Sequence, residues 1–126
     1  MKIPESIRIG GVEYAVIREQ NVRHGAQLCY GKISFEESTI QLSESENMDH
    51  QRKCVTLLHE ILRGVMHAFG TGVDLEDDAE EAVVTVLAKG LYQVLQDNGG
   101  RLFDLRSADA PKMDATDINV GDKEEE

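Results

Sequence analysis

Residues 50–69, HQRKCVTLLHEILRGVMHAF, constrain the fold more than any other part of the chain. Placed every 100° around a helix with His59 at zero, Leu57, Leu58, Ile61, Leu62, Val65, Met66 and Phe69 fall between about 160° and 340°. Thr56, His59, Glu60, Arg63 and His67 fall between roughly 0° and 100°. Every amphipathic helix has a polar face, and most such faces simply meet water. Here half the circumference is apolar, so the helix is expected to sit deep in the fold with its polar stripe lining a cleft. Asp49 is the expected N-cap, and the glycines of GTGVDLED, residues 70–77, end the pattern.

The segment before this helix reads as strands. In ESIRIGGVEYAVIRE, Ile7 and Ile9 alternate with polar residues, and Val12, Tyr14 and Val16 alternate on the return. Gly10 and Gly11 between them supply the positive-φ turn of a hairpin. Gln20 to Gln27 reads as a polar link. LCYGKISF and TIQLSE read as two more strands around a turn at Glu36 to Ser38, with Ile33/Phe35 and Ile40/Leu42 marking one buried face each. A second helix is expected from about Asp77 to Asp97, ended by DNGG. Its apolar face is Val83, Val84, Leu87, Ala88, Leu91, Val94 and Leu95. Asp77 and Asp78 stand at its start, where the helix dipole favours negative charge. The expected architecture is α+β: a small antiparallel sheet of three or four strands packed on the first helix, with the second long helix across it.

A chain of 126 residues supports one compact domain. Leu102, Phe103 and Leu105 are expected to pack one more turn on the core. From Ser107 onward seven carboxylates oppose only Lys112 and Lys123, and few apolar residues remain. Residues 107–126 are therefore expected to be a disordered acidic tail, leaving a domain of residues 1–106. The net charge of −11 argues against a nucleic-acid grip and against an anionic membrane surface. No run is long and apolar enough for a membrane span, and the N-terminus lacks a signal-peptide core. The expectation is a cytoplasmic protein with Cys29 and Cys54 as reduced thiols. His24 and Cys29 carry no interpretable signal.

The polar stripe carries the chemistry. Two imidazoles at i and i+4 lie one turn apart and can share a tetrahedral zinc ion, and a glutamate at i+1 can take a proton from the bound water. His59 and Glu60 fill the first two roles, but Arg63 stands where the second histidine would be. Its guanidinium stays protonated and has no lone pair to give a metal. His67 lies eight residues beyond His59, about 12 Å along the axis, too far to share one ion unless the helix breaks at Gly64. His50 and Cys54 form an i, i+4 pair of their own. On the second helix Glu80 points into the apolar face and Glu81 sits at its edge, and helical spacing does not choose between them as an acid leaning towards His59.

TLLHEILRGVMH followed by EEAVVTVLAKGLYQVLQDN resembles the small zincin-like proteins of phages and mobile elements, relatives of the ImmA/IrrE type of metallopeptidase. The resemblance covers roughly residues 3–98 and includes IRIGGVEYAV and KISFEESTIQL. It implies a minimal zincin domain with His59 as a zinc ligand, Glu60 as general base and a glutamate of the second helix as the last ligand. Glu81-x-x-Val84-x-x-Leu87-Ala88 matches the family's spacing and so selects Glu81. It also implies that an extended peptide pairs along the edge strand, in the cytosol of a bacterial host. The chain departs from the pattern at Arg63.

Three functional readings follow. In the first, Arg63 pairs with Glu60 or Glu81 in the metal's place, and the protein is a pseudo-peptidase that binds a peptide or protein partner. In the second, it is an active zinc-dependent hydrolase with a rearranged site in which His67, Glu80, His50 or Cys54 supplies the missing ligand. In the third, it is an acidic interaction module acting through its surface and tail.

Overall fold

The computed structural model describes residues 2–45 and 47–102, with the side chains of residues 100–102 left aside. The acidic tail and the expected packing of Leu102, Phe103 and Leu105 lie outside what is described. The elements run β1 (Ser6–Ile9), β2 (Val12–Glu19), β3 (Arg23–His24), β4 (Gln27–Leu28), β5 (Gly31–Ser34), β6 (Thr39–Ser43), α1 (His50–Phe69) and α2 (Asp77–Leu102). No helix among the described residues is long and apolar enough to cross a membrane.

The fold is α+β, with a four-stranded sheet in the order β1-β2-β6-β5. β1 and β2 form the expected antiparallel hairpin, turned by Gly10 and Gly11 at φ 60° and 88°. β5 and β6 form a second antiparallel pair, with Ser38 at φ 55° in its turn. The two hairpins meet through a parallel pair, β2 on β6, in the register Ala15 to Thr39 through Glu19 to Ser43. The sheet is therefore mixed, not wholly antiparallel as expected. Alternation of apolar residues shows which face of a strand is buried, but it is blind to the direction of a distant partner. β6 lies between β2 and β5, and its Ile40 and Leu42 are fully buried.

Two expectations change in the middle of the sequence. The link at Gln20 to Gln27 contains β3, which pairs with β4 in a separate two-stranded ribbon around Gly25. These strands have two residues each, too few to show alternation. LCYGKISF is also not one strand. It breaks between β4 and β5 at Cys29 and Tyr30, where the Cys29 amide donates to Val22 O and Tyr30 O accepts from Ser43 N.

α1 runs unbroken through Gly64, capped by the Asp49 carboxylate, which accepts from Arg52 N at 2.8 Å. It seats Cys54, Leu57 and Leu58 among the buried residues, and Gly64 lies against Ile9 and Ile33 of the sheet. A β-carbon at Gly64 would stand 3.0 Å from Ile9 Cδ1 and 3.2 Å from Ile33 Cδ1. The glycine that looked like a possible helix break instead allows a close approach. Gly31 does the same from the sheet side: a β-carbon there would meet Thr56 Cγ2 at 2.5 Å and Gln41 O at 3.2 Å.

α2 packs on α1. It continues past DNGG to Leu102: each of the two glycines costs only about 1 kcal/mol relative to alanine, and no proline stands in the next turn to stop the helix. Gln93 Nε2 bonds Asp97 Oδ2 and Asn98 Nδ2 bonds Val94 O, both within this last stretch. Its buried face is narrower than expected. Val84 and Ala88 are buried and Tyr92 packs against the core, while Val83, Leu87, Leu91 and Val94 remain exposed.

The close contact at Gly31 makes a direct prediction. Gly31→Ala is expected to destabilise the fold by about 1–3 kcal/mol, as overpacking does. Thr56→Ser removes the methyl group that the new β-carbon meets, so the double variant should recover part of the loss. Thermal denaturation of the two single variants and the double variant checks this; independent, additive losses would show that the two groups do not touch.

Candidate functional site

Thr56, His59, Glu60 and Arg63 of the polar stripe of α1 line a cleft bounded by β5, α1 and α2. Two adjoining cavities, of about 270 Å³ and 620 Å³, share Cys29, Gly31, His59, Glu60 and Glu81 in their walls. Glu60 is buried, at 5% exposure, on the stripe where the helical pattern placed a polar residue. A carboxylate so withdrawn from water needs a partner, and His59 provides it.

His59 is the centre of the arrangement. Its Nδ1 lies 3.1 Å from Glu60 Oε2 and its Nε2 lies 2.8 Å from Glu81 Oε2. An ionised carboxylate only accepts hydrogen bonds, so a carboxylate at each ring nitrogen favours the doubly protonated imidazole. The hydrogen bond to Glu60 is the largest influence raising the His59 pKa above the usual 6.5. Burial opposes it, and the charge of Glu60 together with the bond and charge of Glu81 add to the rise.

Of the two glutamates, Glu81 reaches His59. Thr85 Oγ1 donates to the same Glu81 oxygen at 3.5 Å, one turn further along α2. Glu80 is half-buried and lines neither cavity. Arg63 Nη1 stands 3.4 Å from the other Glu81 oxygen. The Arg63 and Glu81 side chains are 43% and 51% exposed. An ion pair this open contributes at most about 1 kcal/mol, so the shorter His59 bond does more to tie α2 to α1. What Arg63 contributes is a fixed positive charge beside the two groups that face each other across the cleft.

The other candidate ligands are elsewhere. His67 stacks flat on Phe35, with ring centroids 3.8 Å apart and planes within 7°. His50 Nε2 and Cys54 Sγ meet at 3.4 Å at the start of α1, and neither lines the cleft. Cys54 is fully buried, and that burial raises its thiol pKa. Among the described residues no three His, Cys, Asp or Glu side chains converge where they could hold a metal ion. The three-ligand zinc site implied by the resemblance does not fit this donor set: His59 and Glu81 supply two ligands, and the third position holds a guanidinium.

Two cleft residues, His24 and Cys29, have no sequence signal at all, and His24 lines only the larger cavity. Cys29 lines both cavities, brought there by the break between β4 and β5. Its pKa is raised by burial first and by the Glu60 charge next, against a lowering from Lys32. Tyr30 beside it is anchored from α1: Arg52 Nη1 donates to its hydroxyl at 3.1 Å and the guanidinium lies 5.1 Å from its ring. The strand break, the Cys29 amide and thiol bonds to Val22 O, and this anchor place the thiol, and none of them is written in the local pattern.

The protonated imidazole has a pH consequence in the metal-free protein. The titratable and charged groups that line the cleft with it are Glu60 and Arg63 on α1, Asp78, Glu81 and Lys89 on α2, and His24, Cys29, Tyr30 and Lys32 from the strand side. The folded state holds the His59 proton more tightly than the unfolded chain. The resulting stability is fully present below about pH 6.5 and is lost as pH rises through the higher value in the fold. Denaturant unfolding with chelator present should therefore show a loss on going from about pH 6 to pH 9 that is largely absent in His59→Gln. An equal pH slope in both proteins would show that His59 is not the titrating group.

Comparison with known proteins finds no matching family model, no matching curated protein and no matching solved structure.

Proposed function

We propose that this chain is a zincin-like scaffold that works by binding a peptide or protein segment, with the side chains of its former metal position paired to one another. The observation that carries this reading is the chain of contacts Glu60–His59–Glu81–Arg63, which joins α1 to α2 across the cleft. Every acidic group in it already has a cationic or hydrogen-bonding partner. In the reading of the resemblance, Glu60 would be a general base and His59 and Glu81 ligands. Here those roles are replaced by mutual neutralisation, and the cleft is left as a binding surface.

β5 supplies the other half of the argument. It is the terminal strand of its sheet and runs along the cleft wall through Gly31, Lys32 and Ile33. An extended segment added to that edge would lie over His59 and Arg63, with backbone hydrogen bonds giving affinity and alternate side chains giving selectivity. Arg63 and Lys32 would meet carboxylates of such a segment. The acidic net charge of the whole protein makes a strongly acidic partner unfavourable beyond this patch.

Zinc content separates this reading from an active hydrolase with a rearranged site. Protein purified without chelator should contain well under one zinc per chain by elemental analysis and take up little when zinc is added. Arg63→His should raise the content towards one, and His59→Ala in that background should abolish it. Stoichiometric zinc in the unaltered protein, lost in His59→Ala, would instead establish a metal centre.

A further inference from the structure

We propose that the cavity between the β3–β4 ribbon and the loop before α1 is a second binding site, which takes an uncharged planar heterocycle of nucleobase or nucleoside size. Its volume is about 480 Å³, within the roughly 300–1,000 Å³ of small-molecule sites. Cys29 and Tyr30 form a wall shared with the cleft. None of His59, Glu60, Arg63 and Glu81 lines this cavity, so the proposal does not rest on the reading of that site.

The walls hold no carboxylate, ammonium, guanidinium or imidazole. This is unusual in a chain of which 29% is charged. The two cleft cavities, and those beside Arg18 and Arg52, are each lined by both signs of charge. An ion entering here would leave water with no counter-charge to meet it. An anion would also face a chain of net charge −11. The polar groups on offer are neutral, chiefly the carboxamides of Gln20, Asn21 and Asn47. Among the described residues none of these three side chains makes a hydrogen bond. Each presents donor and acceptor in one plane, the arrangement that pairs with adjacent acceptor and donor on a ring edge. Ser43 is 4% exposed and its hydroxyl accepts from Ser45 N at 3.2 Å, which leaves its O–H to donate.

The frame behind these groups is fixed. Arg52 Nη1, from the first turn of α1, donates to the Tyr30 hydroxyl at 3.1 Å and to Asn47 O at 3.3 Å, so one guanidinium ties two walls together. The same guanidinium stands over the Tyr30 ring, 5.1 Å from its centroid, yet Tyr30 remains 49% exposed. Ring surface is therefore left on which a flat ligand can stack. Val22, at 1% exposure, anchors the ribbon wall, and its O accepts from Cys29 N at 2.9 Å. An aromatic face beside planar amides favours a heterocycle over a sugar, whose hydroxyls point out of any one plane.

NMR titration of the nitrogen-labelled full chain with adenosine, uridine, adenosine monophosphate and glucose tests this. At least one nucleoside should shift the carboxamide signals of Gln20, Asn21 and Asn47 saturably, with a Kd of about 1 mM or tighter. Adenosine monophosphate should bind at least about tenfold more weakly than adenosine, for want of a cation in the wall. Asn21→Ala and Asn47→Ala should each weaken nucleoside binding at least about fivefold, as loss of a ligand hydrogen bond does. Asn47→Ala keeps the main-chain oxygen that holds Arg52, and unchanged thermal unfolding of both variants shows the frame intact. No saturable shift with either nucleoside would overturn the proposal. So would equally tight binding of the monophosphate or of glucose, shifts centred on His59 and Arg63, or unchanged nucleoside binding in either alanine variant.

Discussion

The distance between α1 and the sheet governs the rest of the molecule. Gly64 lets the helix rest on Ile9 and Ile33, and Gly31 lets β5 come up beneath Thr56. With the helix this close, part of its polar stripe is drawn out of bulk solvent, and Glu60 is carried below the surface. A buried carboxylate requires a donor. His59, adjacent in sequence, supplies it, and the second ring nitrogen then turns outward to Glu81. The site is thus a consequence of close packing: two missing β-carbons lead to one buried acid, and the buried acid leads to a charged imidazole shared by two helices.

That chain of consequences alters the meaning of Arg63. Metal chemistry at this position needs neutral imidazole nitrogen and a further donor one turn along. The fold offers an imidazole whose two nitrogens each face a carboxylate, which raises its pKa, and a guanidinium. Both deviations have the same sign, because two carboxylates converging on a cleft attract positive charge whether it comes from an ion or from side chains. The arginine pair is itself open to solvent and modest in energy. Its larger effect is to make the approach of another cation less favourable.

Much of this was legible in the sequence, and the part that was not has physical causes. The bounds of α1, its Asp49 cap and the Gly10–Gly11 hairpin follow from local rules, because the interactions that set them are local. The polar stripe was readable as a cleft because half the helix is apolar. The parallel pairing of β2 with β6 was not readable, since strand direction across a long connection leaves no mark in alternation. The width of the buried face of α2 was overestimated because apolar periodicity reports what could be buried, and α1 covers only Val84, Ala88 and their neighbours. Between Glu80 and Glu81 helical spacing alone was silent; the tilt of one helix on the other decides, and Glu81 is the one that meets His59. Cys29 reached the cleft through a strand break that no pattern announces.

The most direct measurement is the protonation of the His59 ring, read from its nitrogen NMR shifts at about pH 6, below the ordinary imidazole value, before and after one equivalent of zinc is added. Arginine and imidazolium standing in the metal's place predict two protonated ring nitrogens in both spectra. Loss of the Nε2 proton on addition of zinc, with the shift of a metal-bound imidazole, would contradict the account.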